Sequence, residues 1–213
     1  MPEMEKVQIS LKDILKYNIN IGNNFDFIKQ DEYVYMTSLV DYYEDKMIGF
    51  SDEYPLIQMY FNYYVGLSEN AISYLNDSMK DNIEKIYSLS HKKIKNATIG
   101  ELVDITNISY NYRMKDISEY IKYKILKKEN WENEVLDFFK SGNLNDFDFK
   151  FIYCSVLFPN YFFDLVQSII DGDNREDVLE NITDNIRYNE MEFIKLYYLI
   201  SKFCKIPKIE WIK

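Results

Sequence analysis

The residues best placed to do chemistry surround the single histidine of the chain, His91. A phosphoryl-transfer site uses a carboxylate to orient the attacking hydroxyl, then an Asn and a second carboxylate downstream to hold Mg²⁺. Here Lys93 stands two residues after the histidine, where the first carboxylate is expected. Asn111 stands four residues after Asn107, where the second is expected. Because an ammonium accepts no proton at neutral pH and an amide is a weak Mg²⁺ ligand, the loop lacks the groups its chemistry requires.

The basic residues of this loop allow two interpretations. Lys92 and Lys93 could bind an anionic ligand in a cleft, but an exposed, solvated pair is the favoured interpretation. His91 is expected to shape the loop, with its imidazole hydrogen-bonded to backbone carbonyls of the segment that follows.

Composition excludes several classes of protein. Hydrophobic residues make up 47% of the 213 residues, with 20 Tyr and 14 Phe, which is too apolar for a disordered chain. The net charge of −10 disfavours nucleic-acid binding, because an acidic surface repels phosphates. Residues 1–10 are polar and charged, and no apolar run approaches the roughly twenty residues that span a bilayer. We therefore expect a cytoplasmic protein without a membrane span.

The cysteines and the histidine predict neither a metal site nor a cofactor. Cys154 and Cys204 lie within apolar helical patterns and are expected to be buried free thiols. One histidine and no cysteine cluster make a zinc site improbable on ligand count alone.

Hydrophobic periodicity predicts a mainly α-helical chain with one small β-hairpin within residues 88–112. Gly66 and Gly142 are expected to end helices, the latter in a left-handed conformation, and Ser68 to cap the next helix. The nearly all-apolar segment 146–158 is expected to be the buried centre. A short opening segment at 11–17 is followed by predicted helices at 33–48, 55–66, from 68, from 116, and at 131–140, 146–158, 161–170, 176–186 and 190–203.

Five segments together resemble the YutH-type spore-coat kinases, which are similar to the spore coat CotS proteins and to aminoglycoside phosphotransferases. The most specific are YPLIQMYFNYYVGLSENAISY (54–74) and LFPNYFFDLVQSII (157–170). The others are SHKKI (90–94), MKDISEYIK (114–122) and the closing IPKIEW (206–211).

The resemblance implies a protein-kinase-like fold. Residues 37–213 would form its helical C-lobe as a single domain, and residues 1–36 would form a linker. The N-lobe of that fold carries a five-stranded sheet, a glycine-rich turn and a phosphate-binding lysine. The first forty residues contain no such pattern, so we expect this lobe to be absent.

The resemblance also assigns positions in a vestigial catalytic loop. His91 matches the loop histidine, Lys93 the base and Asn111 the second metal-binding aspartate, with Asn107 between them. Asp116 matches a later aspartate that caps the following helix, as the first residue of an Asp-x-x-Glu capping box, and holds the loop. The two departures predict a chain with no catalytic residue of its own.

The favoured hypothesis is a non-catalytic, pseudokinase-like helical binding or scaffold protein, cytoplasmic and spore-associated, in a Gram-positive cell. Two alternatives stay open. One is a small-molecule phosphotransferase whose N-lobe comes from another chain, with Asp104 or Asp116 as the base. The other is a cytosolic interaction module that binds a protein partner through an aromatic patch. That patch lies near Tyr60, Tyr64, Tyr161 and Phe162.

Overall fold

The computed structural model describes residues 9–17, 31–48, 55–172 and 175–212. Within these residues the protein is mainly helical with one two-stranded antiparallel sheet, as predicted. In chain order the elements are α1 (Leu11–Tyr17), α2 (Glu32–Met47), α3 (Pro55–Lys80), β1 (Tyr87–His91), α4 (Ile99–Leu102), a 3₁₀ turn (Ile105–Asn107), β2 (Ile108–Tyr112), α5 (Lys115–Leu126), α6 (Glu132–Ser141), α7 (Asp146–Leu157), α8 (Asn160–Ile170) and α9 (Arg175–Ile200).

Helix α7 is the buried centre of the fold, as its apolar sequence predicted. From Phe147 to Leu157 every residue except Lys150 is buried, and α3 and α5 both pack against this helix. Each fully buried large apolar side chain contributes about 1.5–3 kcal/mol relative to an exposed one. The helices that carry the candidate site are therefore held by a continuous core.

Asp148 fixes the start of α7 and the approach to α5. Its carboxylate accepts from the backbone N of Asn145 at 2.8 Å, while the Asn145 side chain accepts from the Asp148 backbone N. The same carboxylate accepts from Arg113, from Nε at 2.9 Å and also from Nη2. Because Arg113 lies in the turn before α5, this pair ties the two helices together.

Two helices run through positions where a break was predicted. Helix α3 continues past Gly66 and Ser68, and the Ser68 hydroxyl donates to the carbonyl of Tyr64 at 2.8 Å. A helical glycine costs about 1 kcal/mol relative to alanine, which the apolar burial of the flanking turns outweighs. Helix α9 is also continuous across residues 187–189, where two helices were predicted. Both predicted breaks are wrong.

Gly142 ends α6, but not through a left-handed conformation. Its φ is −77° and its ψ is 144°, so the predicted left-handed stop is wrong. The backbone N of Gly142 donates to the carbonyl of Phe138 at 2.8 Å. A Cβ at this position would lie 3.0 Å from that oxygen and 3.2 Å from Leu144 Cγ. Close approach, rather than backbone handedness, explains the glycine.

The predicted hairpin is present as the pair β1 and β2. Its register places Tyr87 opposite Tyr112, Ser88 opposite Asn111 and His91 opposite Ile108. His91 and Asn111 therefore lie three residues apart along the ladder, or roughly 10 Å at the usual strand rise.

The first described residues join the common core. Ile9 and Ile14 are buried in it, and the backbone N of Ile9 donates to the carbonyl of Ala97 at 2.8 Å. The predicted division at residue 37 falls inside α2 and stays a prediction. Among the described helices, none combines the length and apolar character of a membrane span. Cys154 and Cys204 are buried and free, as predicted.

Candidate functional site

His91 is locked at the end of β1. Its backbone N donates to Asp116 Oδ1 at 2.6 Å, its ring Nδ1 lies 3.1 Å from Asp116 Oδ2, and Nε2 lies 2.9 Å from the carbonyl of Leu102. The Leu102 contact is the kind of backbone hydrogen bond that the sequence predicted. Since both ring nitrogens face acceptors, this geometry suits the doubly protonated imidazolium.

Electrostatics agree with that protonation state. Burial lowers the pKa of His91, but the hydrogen bond and the charge of Asp116, with the Leu102 carbonyl, more than offset it. The net effect raises the pKa of His91 above its ordinary value. With the side chains of His91 and Asp116 4% and 0% exposed, the pair is a buried structural link without an open nitrogen for catalysis.

Asp116 does not cap α5. The helix begins at Lys115 after Met114, whose side chain makes no capping hydrogen bond, so the predicted capping box of Asp116 with Glu119 is wrong. Both oxygens of Asp116 are instead used by His91. A carboxylate in the first turn still interacts favourably with the helix dipole.

Asn107 holds the backbone of the loop. Its Nδ2 donates to the carbonyl of Lys93 at 2.8 Å, and its Oδ1 accepts from the backbone N of Lys93 at 3.2 Å. Its own carbonyl accepts from the backbone N of Lys92 at 2.7 Å, while Lys92 Nζ donates to the carbonyl of Thr106 at 3.0 Å. The amide that a metal would need is thus engaged in loop structure.

Lys93 reaches α8. Its Nζ lies 2.7 and 2.8 Å from the two carboxylate oxygens of Asp164. The two side chains are 31% and 56% exposed, so this pair contributes at most about 1 kcal/mol to stability. The residue that the resemblance assigns to the base position is therefore a partly exposed cation that is already paired.

Asn111 is sealed inside the protein. Its side chain is fully buried, Nδ2 donates to Glu32 Oε2 at 2.7 Å, and Oδ1 accepts from the backbone N of Tyr112 at 2.7 Å. The alternative bases are no better placed. Asp104 is exposed and accepts from Thr106, and Asp116 is bound to His91.

A buried ionic cluster joins α2 to α5 through Glu32, Lys115 and Glu119, with the half-buried Lys122 as its fourth member. Lys115 Nζ is 2.5 Å from Glu32 Oε1 and 3.3 Å from Glu119 Oε1, and Lys122 Nζ is 3.1 Å from the same Glu119 oxygen. Sequence reasoning missed this cluster. The helical spacing of Lys115, Glu119 and Lys122 was a usable signal, but Glu32 lies 83 residues before Lys115.

Burial and the neighbouring charges of the cluster shift the pKa values of its members. Burial raises the pKa of Glu119, but Lys122 and Lys115 outweigh it, so the net pKa of that carboxyl is lowered. Burial lowers the pKa of Lys122, and Glu119 offsets this only in part. Lys115 differs, because Glu32 and Glu119 overcome its burial and raise its pKa. The cluster therefore favours the charged forms of Glu119 and Lys115, whereas burial disfavours the charged form of Lys122.

A cavity of about 360 Å³ opens between the loop after β1, the C-terminal part of α5, the α7–α8 connection and α9. Lys93 lines it, whereas Lys92 and Asn111 do not. Its polar wall includes Asn160 and Asn189, which sequence analysis did not single out. Within the described residues, no cluster of three or more His, Cys, Asp or Glu side chains is placed to hold a metal ion.

The aromatic residues proposed as a partner patch lie mostly in the core. Tyr64 stacks on Phe162 with ring centroids 4.0 Å apart, and both are buried. The hydroxyls of Tyr64 and Tyr161 are 2.6 Å apart. Only Tyr60 and Tyr161 are half-buried, so partner binding by this patch stays a prediction with little exposed surface behind it.

Comparison with known proteins agrees with the resemblance found in the sequence. The family described as "Spore coat putative kinase YutH" matches residues 51–193. A curated relative, the endospore coat-associated protein YutH of Bacillus subtilis (strain 168), is 23% identical over 171 residues. The match covers 71% of this chain and 50% of the relative, so the chain spans about half the relative's length. No solved structure matches. The chain belongs to the YutH family of spore coat proteins.

Proposed function

We propose that this chain is a non-catalytic, pseudokinase-like helical protein that binds or scaffolds other molecules. The kinase-like origin of its lobe is part of the proposal and is supported by family membership. The relative's printed name, endospore coat-associated, supports the further proposal of a cytoplasmic protein that associates with the spore.

The observation that carries the proposal is the separation of Lys93 from Asn111. Phosphoryl transfer needs the base and the metal ligands around one set of reactants. Here Lys93 lines a cavity and is paired with Asp164, while Asn111 is buried against Glu32 and does not line that cavity. Carboxylates at positions 93 and 111 would therefore still not face one set of reactants.

Thermal unfolding with and without ATP and Mg²⁺ tests this proposal. A ligand that binds only the folded state raises stability by RT ln(1 + [L]/Kd), or about 2.7 kcal/mol at one hundred times Kd. We expect the Tm to stay unchanged across the nucleotide series. A Tm that rises and saturates with ATP in the presence of Mg²⁺ would overturn the proposal.

A further inference from the structure

The cavity beside Lys93 has the construction of a ligand site. Its volume of about 360 Å³ falls within the range of small-molecule pockets, about 300–1,000 Å³. Val156, Phe158 and Phe193 form part of its apolar wall, and all three are buried. Such walls favour a ligand with an apolar group, because binding removes the apolar surface of that group from water.

Two buried amides in the wall carry oxygens without partners. Asn160 is 7% exposed and Asn189 is 3% exposed, and both line the cavity. Within the part of the chain that the structure describes, neither Oδ1 has a hydrogen-bond partner. An unpaired buried acceptor is unfavourable. Because both residues line the cavity, a small rotation of either amide would let its oxygen accept from an N–H or O–H donor of an occupant.

The Asn189 amide is held in place from the other side. Its Nδ2 donates to the hydroxyl of Tyr161 at 2.6 Å, and that hydroxyl lies 2.6 Å from the hydroxyl of Tyr64. One of the two amide N–H groups is therefore used by the protein, which leaves the oxygen as the unpaired polar atom of Asn189.

The charge of the lining is opposite to that of the chain. Four lysines and two carboxylates line the cavity, which leaves an excess of two positive charges in a chain of net charge −10. Lys95 and Lys127 are exposed at its edge. Neither forms a salt bridge with another described residue. Local positive potential of this kind concentrates anions.

We propose that this cavity binds a small organic carboxylate that carries an apolar ring and an N–H or O–H donor. An excess of two positive charges in the lining matches one carboxylate rather than the triphosphate of a nucleotide. The lysines receive the anion, Asn160 and Asn189 accept from the donor, and the apolar wall covers the ring. This inference rests on the proposed function as a non-catalytic binding protein, and it adds the class of ligand that the protein would bind.

Three small probes separate the recognition elements. Indole-3-acetate carries the anion, the ring and the N–H. Naphthalene-1-acetate keeps the anion and the ring but lacks the donor, and tryptamine keeps the ring and the N–H but is a cation. By calorimetry on the full chain, we expect saturable binding of indole-3-acetate, binding of naphthalene-1-acetate about tenfold weaker, equivalent to one hydrogen bond, and no binding of tryptamine.

Asn160→Leu removes an unpaired oxygen and no described side-chain hydrogen bond. The variant should therefore unfold at the same or a higher temperature than the wild type, while its affinity for indole-3-acetate falls about tenfold. Its affinity for naphthalene-1-acetate should not fall. Ser155→Ala is the matched control, because Ser155 Oγ is also buried and unpaired but does not line the cavity. This control should bind indole-3-acetate as the wild type does.

The inference is overturned if indole-3-acetate shows no saturable binding at about 10 mM, a range that would still detect a millimolar Kd. It is also overturned if tryptamine binds equally well, or if Asn160→Leu and the wild type bind indole-3-acetate alike. An ATP and Mg²⁺ arm in the same experiment reports on the proposed function separately. Saturable nucleotide binding there would overturn the proposed function, which expects none, whereas the probe series alone decides the ligand class.

Discussion

Asp116 accepts two hydrogen bonds from His91, one from its backbone N at 2.6 Å and one from its ring Nδ1 at 3.1 Å. The two residues are 25 positions apart, so this pair joins the end of β1 to the first turn of α5. A histidine bound in this way positions the loop through Leu102 and cannot also serve as a general base without breaking the pair.

The first prediction concerns the pH dependence of stability. Because the folded pKa of His91 is raised above 6.5, its contribution is fully present below pH 6.5 and is lost as the pH rises through the folded pKa. The free-energy difference of unfolding between wild type and His91→Gln should therefore shrink as the pH rises above 6.5. Denaturant unfolding across this range measures it, and a difference that grows with pH would contradict the assignment.

Asp116→Asn should reverse that dependence. Without the carboxylate, burial becomes the dominant influence and lowers the pKa of His91, so the variant should lose stability as the pH falls below about 6.5. At neutral pH we expect a loss of about 3–5 kcal/mol, as for a broken buried pair. Urea unfolding at several pH values checks both effects. Unchanged acid stability in the variant would count against the imidazolium.

Asn111→Asp should destabilise the protein rather than create a metal site. The new carboxylate would lie where Nδ2 now donates to Glu32 at 2.7 Å, so two buried anions would face each other. We expect a loss of about 3–5 kcal/mol, with no recovery of Tm in Mg²⁺. Asn130→Asp, at an exposed position before α6, is the control and should change stability by less than about 0.5 kcal/mol. Stabilisation of Asn111→Asp by Mg²⁺ would restore the idea of a metal site here.

The buried ionic cluster should behave as one unit. Lys115→Met leaves Glu32 with a single described partner, Asn111, and should cost about 3–5 kcal/mol. Adding Glu32→Gln should recover a large part of that loss, because it removes the uncompensated charge. Lys80→Met, at an exposed ion pair, is the control and should be nearly neutral. Additive losses in the double variant would refute the coupling.

Two glycines should respond in opposite directions to alanine. Gly142→Ala brings a Cβ to 3.0 Å from the Phe138 carbonyl and should cost about 1–3 kcal/mol. The Cβ of Gly66→Ala meets no described heavy atom within 4 Å beyond the backbone of α3 itself, so the change should stabilise the protein by about 0.5–1 kcal/mol. Thermal unfolding of both variants checks this pair. Destabilisation by Gly66→Ala would indicate that the α3 helix is not continuous there.

Much of the fold could be predicted from sequence because its pattern is local. Apolar spacing located the helices, the all-apolar run at 146–158 marked the buried centre, and the change of period at 88–112 marked the hairpin. The errors at Gly66 and Gly142 arose because a glycine alone does not distinguish a helix interior, a left-handed stop and a close contact. Tertiary packing decides between these cases.

The candidate site was less accessible to sequence reasoning. The loop residues His91 and Lys93 stand out in the chain, but their partners Asp116 and Asp164 lie 25 and 71 positions away. The cavity is lined by a loop and four helices. The proposed role of Asn160 in ligand binding depends on a side-chain oxygen that lacks a hydrogen-bond partner in the folded state. Such a property exists only after packing.

The most direct test of the central claim is a titration of the purified chain with Mn²⁺ and ATP, monitored by electron paramagnetic resonance of the Mn²⁺ ion. Mn²⁺ substitutes for Mg²⁺ at oxygen-ligand sites, and binding to protein broadens its signal. If Lys93 and Asn111 cannot together hold a metal–nucleotide complex, the Mn²⁺–ATP signal will be unchanged by added protein. A saturable loss of signal that requires ATP, accompanied by transfer of the γ-phosphate, would contradict the account.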